Sequence, residues 1–280
     1  MPGRCYTILQ GTLVMDFLSE LFEEHQSTED NPHLEEVIEM ANNLLNLLFP
    51  DRCPKGFRFF TEFEHKYNEQ KVALIGILRK IDHKLPEKCV PLADEFFNKI
   101  PEIHDKLKAD AKAIAANDPA ARDVIEVVKT YPGFYAIAMY RMAHELWKLK
   151  IPYVPRVLTE SAHGDTGIDI HPGAHIGSDF VIDHGTGIVI GQTCSIGNNV
   201  KIYQNVTLGA LSVHKDQAST KRHPTIEDNV VIYSGATILG GNTVIGENTI
   251  IGGNVWLTSS VPANSKVFNK AQVTIQNDVS

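Results

Sequence analysis

A period of six runs through the second half of the chain and limits its fold more than any other feature. Ile170, Ile176 and Ile182 are six apart, and after a two-residue offset the count resumes at Ile190, Ile196, Ile202 and Leu208. A polar loop from Ala210 to Lys221 interrupts it. Ile226, Ile232 and Ile238 continue it, and one added residue near Gly240–Gly241 shifts it to Ile245, Ile251 and Leu257. A helix cannot use this period, because six steps of about 100° carry a side chain well off its starting face. A coil with three short flat walls can: one aliphatic per wall points inward, and successive coils stack these into columns. Gly and Asn supply the positive φ that each corner demands. The run predicts roughly four coils of about 18 residues, a parallel β-helix of the hexapeptide type.

The character changes between about Tyr131 and Gly167. Upstream, Leu34, Val37, Ile38, Ala41, Leu45 and Leu48 fall three or four apart and form one apolar stripe, with Glu35, Glu36, Asn42 and Asn43 on the other face. Pro50 and the stretch from Pro54 to Gly56 stop that helix. Further helices are predicted over Val72–Ile81, Ala93–Ala116 and Phe134–Leu149, the last ended by Pro152 and Pro155. The segment Met1 to Asn31 has an acidic run, read as a solvated face. The fold class expected is therefore α+β multidomain. An α-helical N-terminal domain over 1–160 precedes a hexapeptide-repeat β-helix domain with a C-terminal tail over 161–280.

Composition narrows the function. The 280 residues hold 26 Lys+Arg against 34 Asp+Glu, a net charge of −8, which argues against the basic face of a nucleic-acid binder. With 43% hydrophobic and 21% charged residues and no apolar run of about 18, the chain reads as globular, without a membrane span or secretory signal. Cys5, Cys53, Cys89 and Cys194 are scattered without CxxC spacing, in keeping with reduced thiols and a cytoplasmic location.

Among the 12 histidines, His184 lies in Ile182-Asp183-His184-Gly185-Thr186-Gly187, where the hexad count slips by two. A break in a repeat flanked by glycines can aim a side chain at a ligand. Arg222-His223-Pro224 closes the irregular loop and sets a cation beside an imidazole. A zinc site of His171, His175 and His184 is disfavoured: His171 and His175 are four apart, neither a coil nor a same-face spacing, so no metal is expected. A base is the other reading. Acyl transfer to a hydroxyl needs an imidazole to take the proton and a carboxylate to steady it. Asp169 precedes His184 by fifteen residues, close to one coil once the slip is counted, so the two can be neighbours on adjacent coils. Spacing alone favours the plainer alternative, that Asp169 and Asp183 are polar corner residues and His184 a surface histidine.

From roughly Asn117 to Val261 the chain resembles the serine O-acetyltransferases of the hexapeptide-repeat acyltransferase superfamily. The resemblance is carried by Asp118-Pro119-Ala120, Gly133-Phe134, Tyr140-Arg141, Asp169-Ile170-His171-Pro172, Asp183-His184-Gly185-Thr186-Gly187, Gln204-Asn205-Val206-Thr207-Leu208-Gly209 and Arg222-His223-Pro224. It implies a left-handed coil and transfer of acetyl from acetyl-CoA to the L-serine hydroxyl, giving O-acetylserine for cysteine biosynthesis by direct attack. By resemblance His184 is the general base, Asp169 its carboxylate partner and His223 an active-site neighbour. Asp118 and Asp183 would hold the amino and hydroxyl end of serine, and Arg222 with His223 its carboxylate end. Gly209, Ala210, Ser234 and Gly253 would line the acetyl-CoA site.

The resemblance also implies a homotrimer with sites between subunits, a hexamer as a dimer of trimers, and feedback inhibition by cysteine. Departures are the longer loop 210–221, Gly209-Ala210 in place of a Gly-Gly pair, Ser234 in place of Ala, and Ile250 at a commonly basic position. The Asn277-Asp278-Val279-Ser280 ending lacks the isoleucine of tails that dock into O-acetylserine sulfhydrylase, so that complex is not expected. Two rivals stand beside the serine reading. One is a hexapeptide acyltransferase acting on homoserine or a sugar; the other is a non-catalytic scaffold or zinc-dependent hydratase on the same coil.

Overall fold

The computed structural model describes residues 5–27, 32–53, 56–81, 86–211 and 220–270. Seven α-helices come first among them: α1 (Cys5–Ser27), α2 (Leu34–Leu48), α3 (Phe60–Ile81), α4 (Pro86–Asn117), α5 (Val124–Thr130), α6 (Pro132–Lys148) and α7 (Val154–Thr166). Helix α2 buries Val37, Met40, Ala41, Leu44 and Leu45, the stripe seen in the sequence. Two helices are longer than predicted. Helix α4 starts at Pro86 and runs through Pro91, and α3 starts at Phe60. Helix α7 was not predicted at all, because Pro152 and Pro155 were read as terminators. Pro155 instead occupies the first turn of α7, where its missing N–H costs nothing. The described side chains of α1 are mostly exposed, and they include Val14, Met15, Phe17, Leu18 and Phe22. This N-terminal segment is thus a helix with apolar as well as acidic residues on its surface. No described helix is long and apolar enough to cross a membrane.

Three parallel sheets follow, each a wall of the coil. Wall one stacks β1 (Ile168–Ile170), β4 (Ile188–Ile190), β7 (Thr207–Gly209), β10 (Thr237–Leu239) and β13 (Trp256–Leu257). Wall two stacks β2 (His175–Ile176), β5 (Ser195–Ile196), β8 (Thr225–Ile226) and β11 (Val244–Ile245). Wall three stacks β3 (Val181–Asp183), β6 (Lys201–Tyr203), β9 (Val231–Ile232), β12 (Ile250–Ile251) and β14 (Lys266–Val267). The hexad aliphatics form the inward columns, Ile170-Ile190-Leu208-Ile238-Leu257 in wall one and Ile182-Ile202-Ile232-Ile251-Val267 in wall three. Five strands in walls one and three exceed the four coils counted from sequence, since the last turn leaves the strict hexad.

Corners are held by left-handed residues. Between walls two and three these are Asp179, Asn199, Asn229, Asn248 and Asn264. Their side-chain amides form a ladder: Asn199 donates to Asn229 at 2.8 Å, Asn229 to Asn248 at 3.1 Å, and Asn248 to Asn264 at 3.2 Å.

Helix α6 docks the helices onto the first coil. The Tyr140 hydroxyl donates to the Ala174 carbonyl at 2.6 Å, and Arg141 donates to the Gly177 carbonyl at 2.7 Å. Arg141 also forks onto the buried Asp110 carboxylate of α4, which accepts from the Phe180 N–H at 2.9 Å. A pair removed this fully from water needs further hydrogen bonds, and here both Asp110 oxygens accept, Oδ1 from two donors. A Cβ on Gly133 would come within 2.9 Å of the Ile182 carbonyl, so glycine lets α6 approach β3.

Candidate active site

The residues singled out from sequence gather at the two edges of wall one. The first edge is the corner between walls three and one. Its left-handed column is Gly187, Asn205, Gly235 and Asn254. The two-residue slip adds two more positive-φ residues, His184 at 59° and Gly185 at 95°. A left-handed backbone is uncommon for a histidine, and such conformations cluster at functional sites. The insertion pushes His184 out of the wall, leaving its side chain 76% exposed.

Around it lie carboxylates from two elements. Asp183 Oδ1 is 3.7 Å from His184 Nε2, and Asp183 Oδ2 accepts from Lys201 Nζ at 3.0 Å. Asp118, in the turn after α4, accepts from the Tyr131 hydroxyl at 2.6 Å and the Ala120 N–H at 2.8 Å. These bonds hold the Asp118 carboxyl below its usual range, with lesser help from Lys201 and His184, and push the Tyr131 phenol up to about 12. The corner is therefore acidic and carries one exposed imidazole.

The second edge is the corner between walls one and two, where the long segment between β7 and β8 takes the place of a tight corner. The returning chain is caught by Thr193 on the coil below. Its hydroxyl oxygen accepts from the Arg222 N–H at 2.9 Å and the His223 N–H at 3.1 Å. The Thr193 N–H donates to His223 Nδ1 at 3.2 Å, which fixes Nδ1 as an acceptor and leaves the proton on Nε2. The ring packs against Gly191, where a Cβ would fall 2.0 Å from His223 Cδ2. Arg222 donates to Gln192 Oε1 at 2.6 Å.

On the first coil of the same corner, His171 Nδ1 accepts from the Gly173 N–H at 2.9 Å. Burial lowers both rings to about 4, assisted at His223 by Arg222 and at His171 by Arg156 and Arg222. This corner presents a guanidinium and neutral imidazoles whose free N–H groups can donate. His175 packs instead against His144 of α6, ring centroids 5.0 Å apart, and His171 against Trp147. No cluster of three or more metal-ligating side chains occurs among the described residues.

Asp169 corrects the spacing argument. Strand register sets Val189, not His184, directly over it, because His184 to Gly187 form the corner. Within the chain no hydrogen bond or ion pair joins Asp169 to His184. Asp169 faces outward in the middle of wall one, half-buried beneath α7. Burial raises its pKa, and His163, Glu160 and Arg156 are its charged neighbours. The four remaining candidates divide like the others. Gly209 and Ala210 end β7 at the second edge, whereas Ser234 and Gly253 stack at the first, the Asn254 N–H reaching the Ser234 carbonyl at 3.0 Å. Residues 212–219 of the long loop and 271–280 of the tail lie outside the described residues. Cys194 is buried, its thiol donates to the Leu208 carbonyl at 3.4 Å, and burial pushes it up to about 12, so it is a wall residue. Sequence reasoning missed Tyr131, Gln192, Thr193 and Lys201, which have no motif of their own.

The three-walled parallel coil thus carries an imidazole and carboxylates at one edge of wall one and a guanidinium at the other. The family model described as serine acetyltransferase, N-terminal, matches residues 71–139. A plasmid-borne serine acetyltransferase of Synechococcus elongatus is 50% identical over 198 residues, 69% of this chain and 61% of that relative. The matched part thus spans about six-tenths of that curated relative. Serine acetyltransferase 1 of Entamoeba histolytica, solved in complex with L-cysteine, is 33% identical with a TM-score of 0.76, covering 90% of this chain and 96% of that one. A serine acetyltransferase solved in complex with CoA is 27% identical with a TM-score of 0.56, covering 84% of this chain and 96% of that one. The chain belongs to the serine acetyltransferase family.

Proposed function

We propose that this protein transfers the acetyl group of acetyl-CoA to the hydroxyl of L-serine, giving O-acetylserine as a precursor of cysteine. The observation that carries the reading is the exposed left-handed His184 between Asp118 and Asp183, with Arg222 at the opposite edge of the same wall. Serine is a zwitterion, so its pocket must offer carboxylates to the ammonium and a guanidinium to the carboxylate. His184 takes the hydroxyl proton as the serine oxygen attacks the thioester carbonyl. The C–S bond then breaks, and the imidazolium returns the proton to the departing thiolate. The Nε2–H of His223 is suited to donate to the oxyanion or to the serine carboxylate.

The two edges cannot meet within one chain, because wall one separates them. We infer a homotrimer in which the second edge of one copy faces the first edge of the next. That contact would bring Arg222, His223 and Asp169 to His184, with Asp169 as the steadying carboxylate. Gly209 and Ala210 opposite Ser234 and Gly253 would then flank a groove along the coil axis, suited to the extended acetyl-CoA arm. Cysteine shares the serine head group and would compete for the same pocket. The helical part, 1–160, and the coil, 161–280, act as separate domains in this reading, the first supplying Asp118 and Tyr131 to the second.

Thiol release from acetyl-CoA with serine, compared with homoserine and sugars, tests the acceptor. Mixing His184→Ala and Arg222→Ala chains tests the shared site. At serine well below the raised KM of Arg222→Ala each is strongly impaired alone, and reassembly from denaturant restores part of the activity if each site draws on two copies.

A further inference from the structure

We propose that Lys201 is a positioning residue of the acidic corner. Its ammonium ties Asp183 to the carbonyl preceding Asp118 and sets the pH at which the His184 imidazole takes up a proton. The inference rests on His184 being the base.

Lys201 belongs to the outward column of wall three, Val181-Lys201-Val231-Ile250-Lys266. Lysines in such a position ordinarily extend into water, as the exposed Lys266 at the end of the column does. The side chain of Lys201 is only 12% exposed. Its Nζ donates to Asp183 Oδ2 at 3.0 Å and to the Asn117 carbonyl at 3.1 Å, and it lies 4.6 Å from the centre of the Tyr203 ring. Three partners in three directions use up the donors of one ammonium. Burial opposes its charge, the bonds to Tyr203 and Asp183 favour it, and the net direction is upward, so Lys201 is a fixed cation.

Two consequences follow. The Asn117 carbonyl ends α4, where a cation is favoured by the helix dipole, and the next residue is Asp118. Lys201 thereby holds the Asp118 turn against the coil. With Asp183 Oδ2 engaged by Lys201, Oδ1 is the atom left toward His184. Within one chain the charged and titratable groups around the imidazole are the adjacent Asp183, Asp118 and its partner Tyr131 from the helical side, Glu126 beyond Tyr131, and Lys201 with Tyr203 on the next coil. The inferred trimer adds Asp169, Arg222 and His223 of a neighbouring copy, which Lys201 substitutions leave unchanged. Remove this cation and Asp183 and Asp118 lose the opposing charge that their own chain sets beside them. They then favour the imidazolium, which cannot accept a proton from the hydroxyl.

The test is an NMR titration of 13C-labelled histidine in the full chain, with His184→Asn assigning the resonance. Lys201→Met moves the His184 midpoint upward by about 0.5–1 pH unit, whereas Lys201→Arg keeps it near the wild-type value. A midpoint unchanged in Lys201→Met overturns the proposal, even if the variant melts earlier, since a merely structural lysine would do that. Lys201→Gln serves the same purpose if the Met variant does not fold. In parallel, Lys201→Met raises the KM for serine by about 3–30-fold and leaves that for acetyl-CoA within about twofold. Wild-type chain that releases no thiol with serine would strike the acceptor assignment. The imidazole titration would still decide the role of Lys201.

Discussion

At one edge of wall one the repeat is lengthened by two residues, and at the other a whole corner is replaced by a loop returning through Arg222 and His223. The first device leaves its imidazole exposed on a left-handed backbone among carboxylates. The second buries its imidazole against Gly191 and locks the tautomer through Thr193. A base must exchange protons and reach substrate, so exposure suits it. A donor of fixed polarity must hold its N–H in one direction, so packing suits that. In the proposed function the same side chain does two jobs, set by the way each corner departs from the hexad.

The sharpest way to break this contrast is His184→Ala, which lowers kcat by roughly 10²–10⁴-fold in the thiol-release assay. Turnover near wild type would leave the exposed edge without a base. Arg222→Ala comes next. It raises the KM for serine by about 10–100-fold with a smaller change for acetyl-CoA, read from initial rates at varied substrate. Gly191→Ala inserts a Cβ into the His223 ring, so the ring must move. Thermal or urea unfolding registers a loss of about 1–3 kcal/mol, and activity falls with it.

The smallest effect is on pH. An unfolded histidine titrates near 6.5, but His171 and His223 are held down to about 4, so between these values the unfolded chain binds protons that the folded chain refuses. The stability they contribute is complete above about pH 6.5 and is lost as pH falls toward 4. Melting temperature followed from pH 7 to 4.5 declines less steeply in His223→Gln than in wild type. Equal slopes would remove His223 as a source of that decline.

The coil was legible because each inward aliphatic recurs at a fixed interval, and the edges were legible because His184 and Arg222 stand where that interval fails. The helical half was less so. Pro91 lies inside α4, which starts before the expected Ala93, and Pro155 opens a further helix after the one it was expected to end, since a proline in sequence does not reveal whether its turn is first or central. Lys201, Tyr131 and Thr193 were invisible for another reason. Lys201 meets Asn117 across 84 positions and Tyr131 meets Asp118 across 13, contacts made by the helical half, and Thr193 meets His223 across 30 by way of the long loop, so counting along the coil reveals none of them. Asp169 misled by the same arithmetic, because fifteen residues that include a bulged corner do not close one coil.

The asparagine ladder lies at the corner opposite wall one. Amides joined rung to rung act as a spine, so the coil keeps its pitch even where the other two corners are opened by an insertion or a long excursion. Chemistry on this scaffold can therefore be rewritten along its two free edges while the seam behind them stays shut.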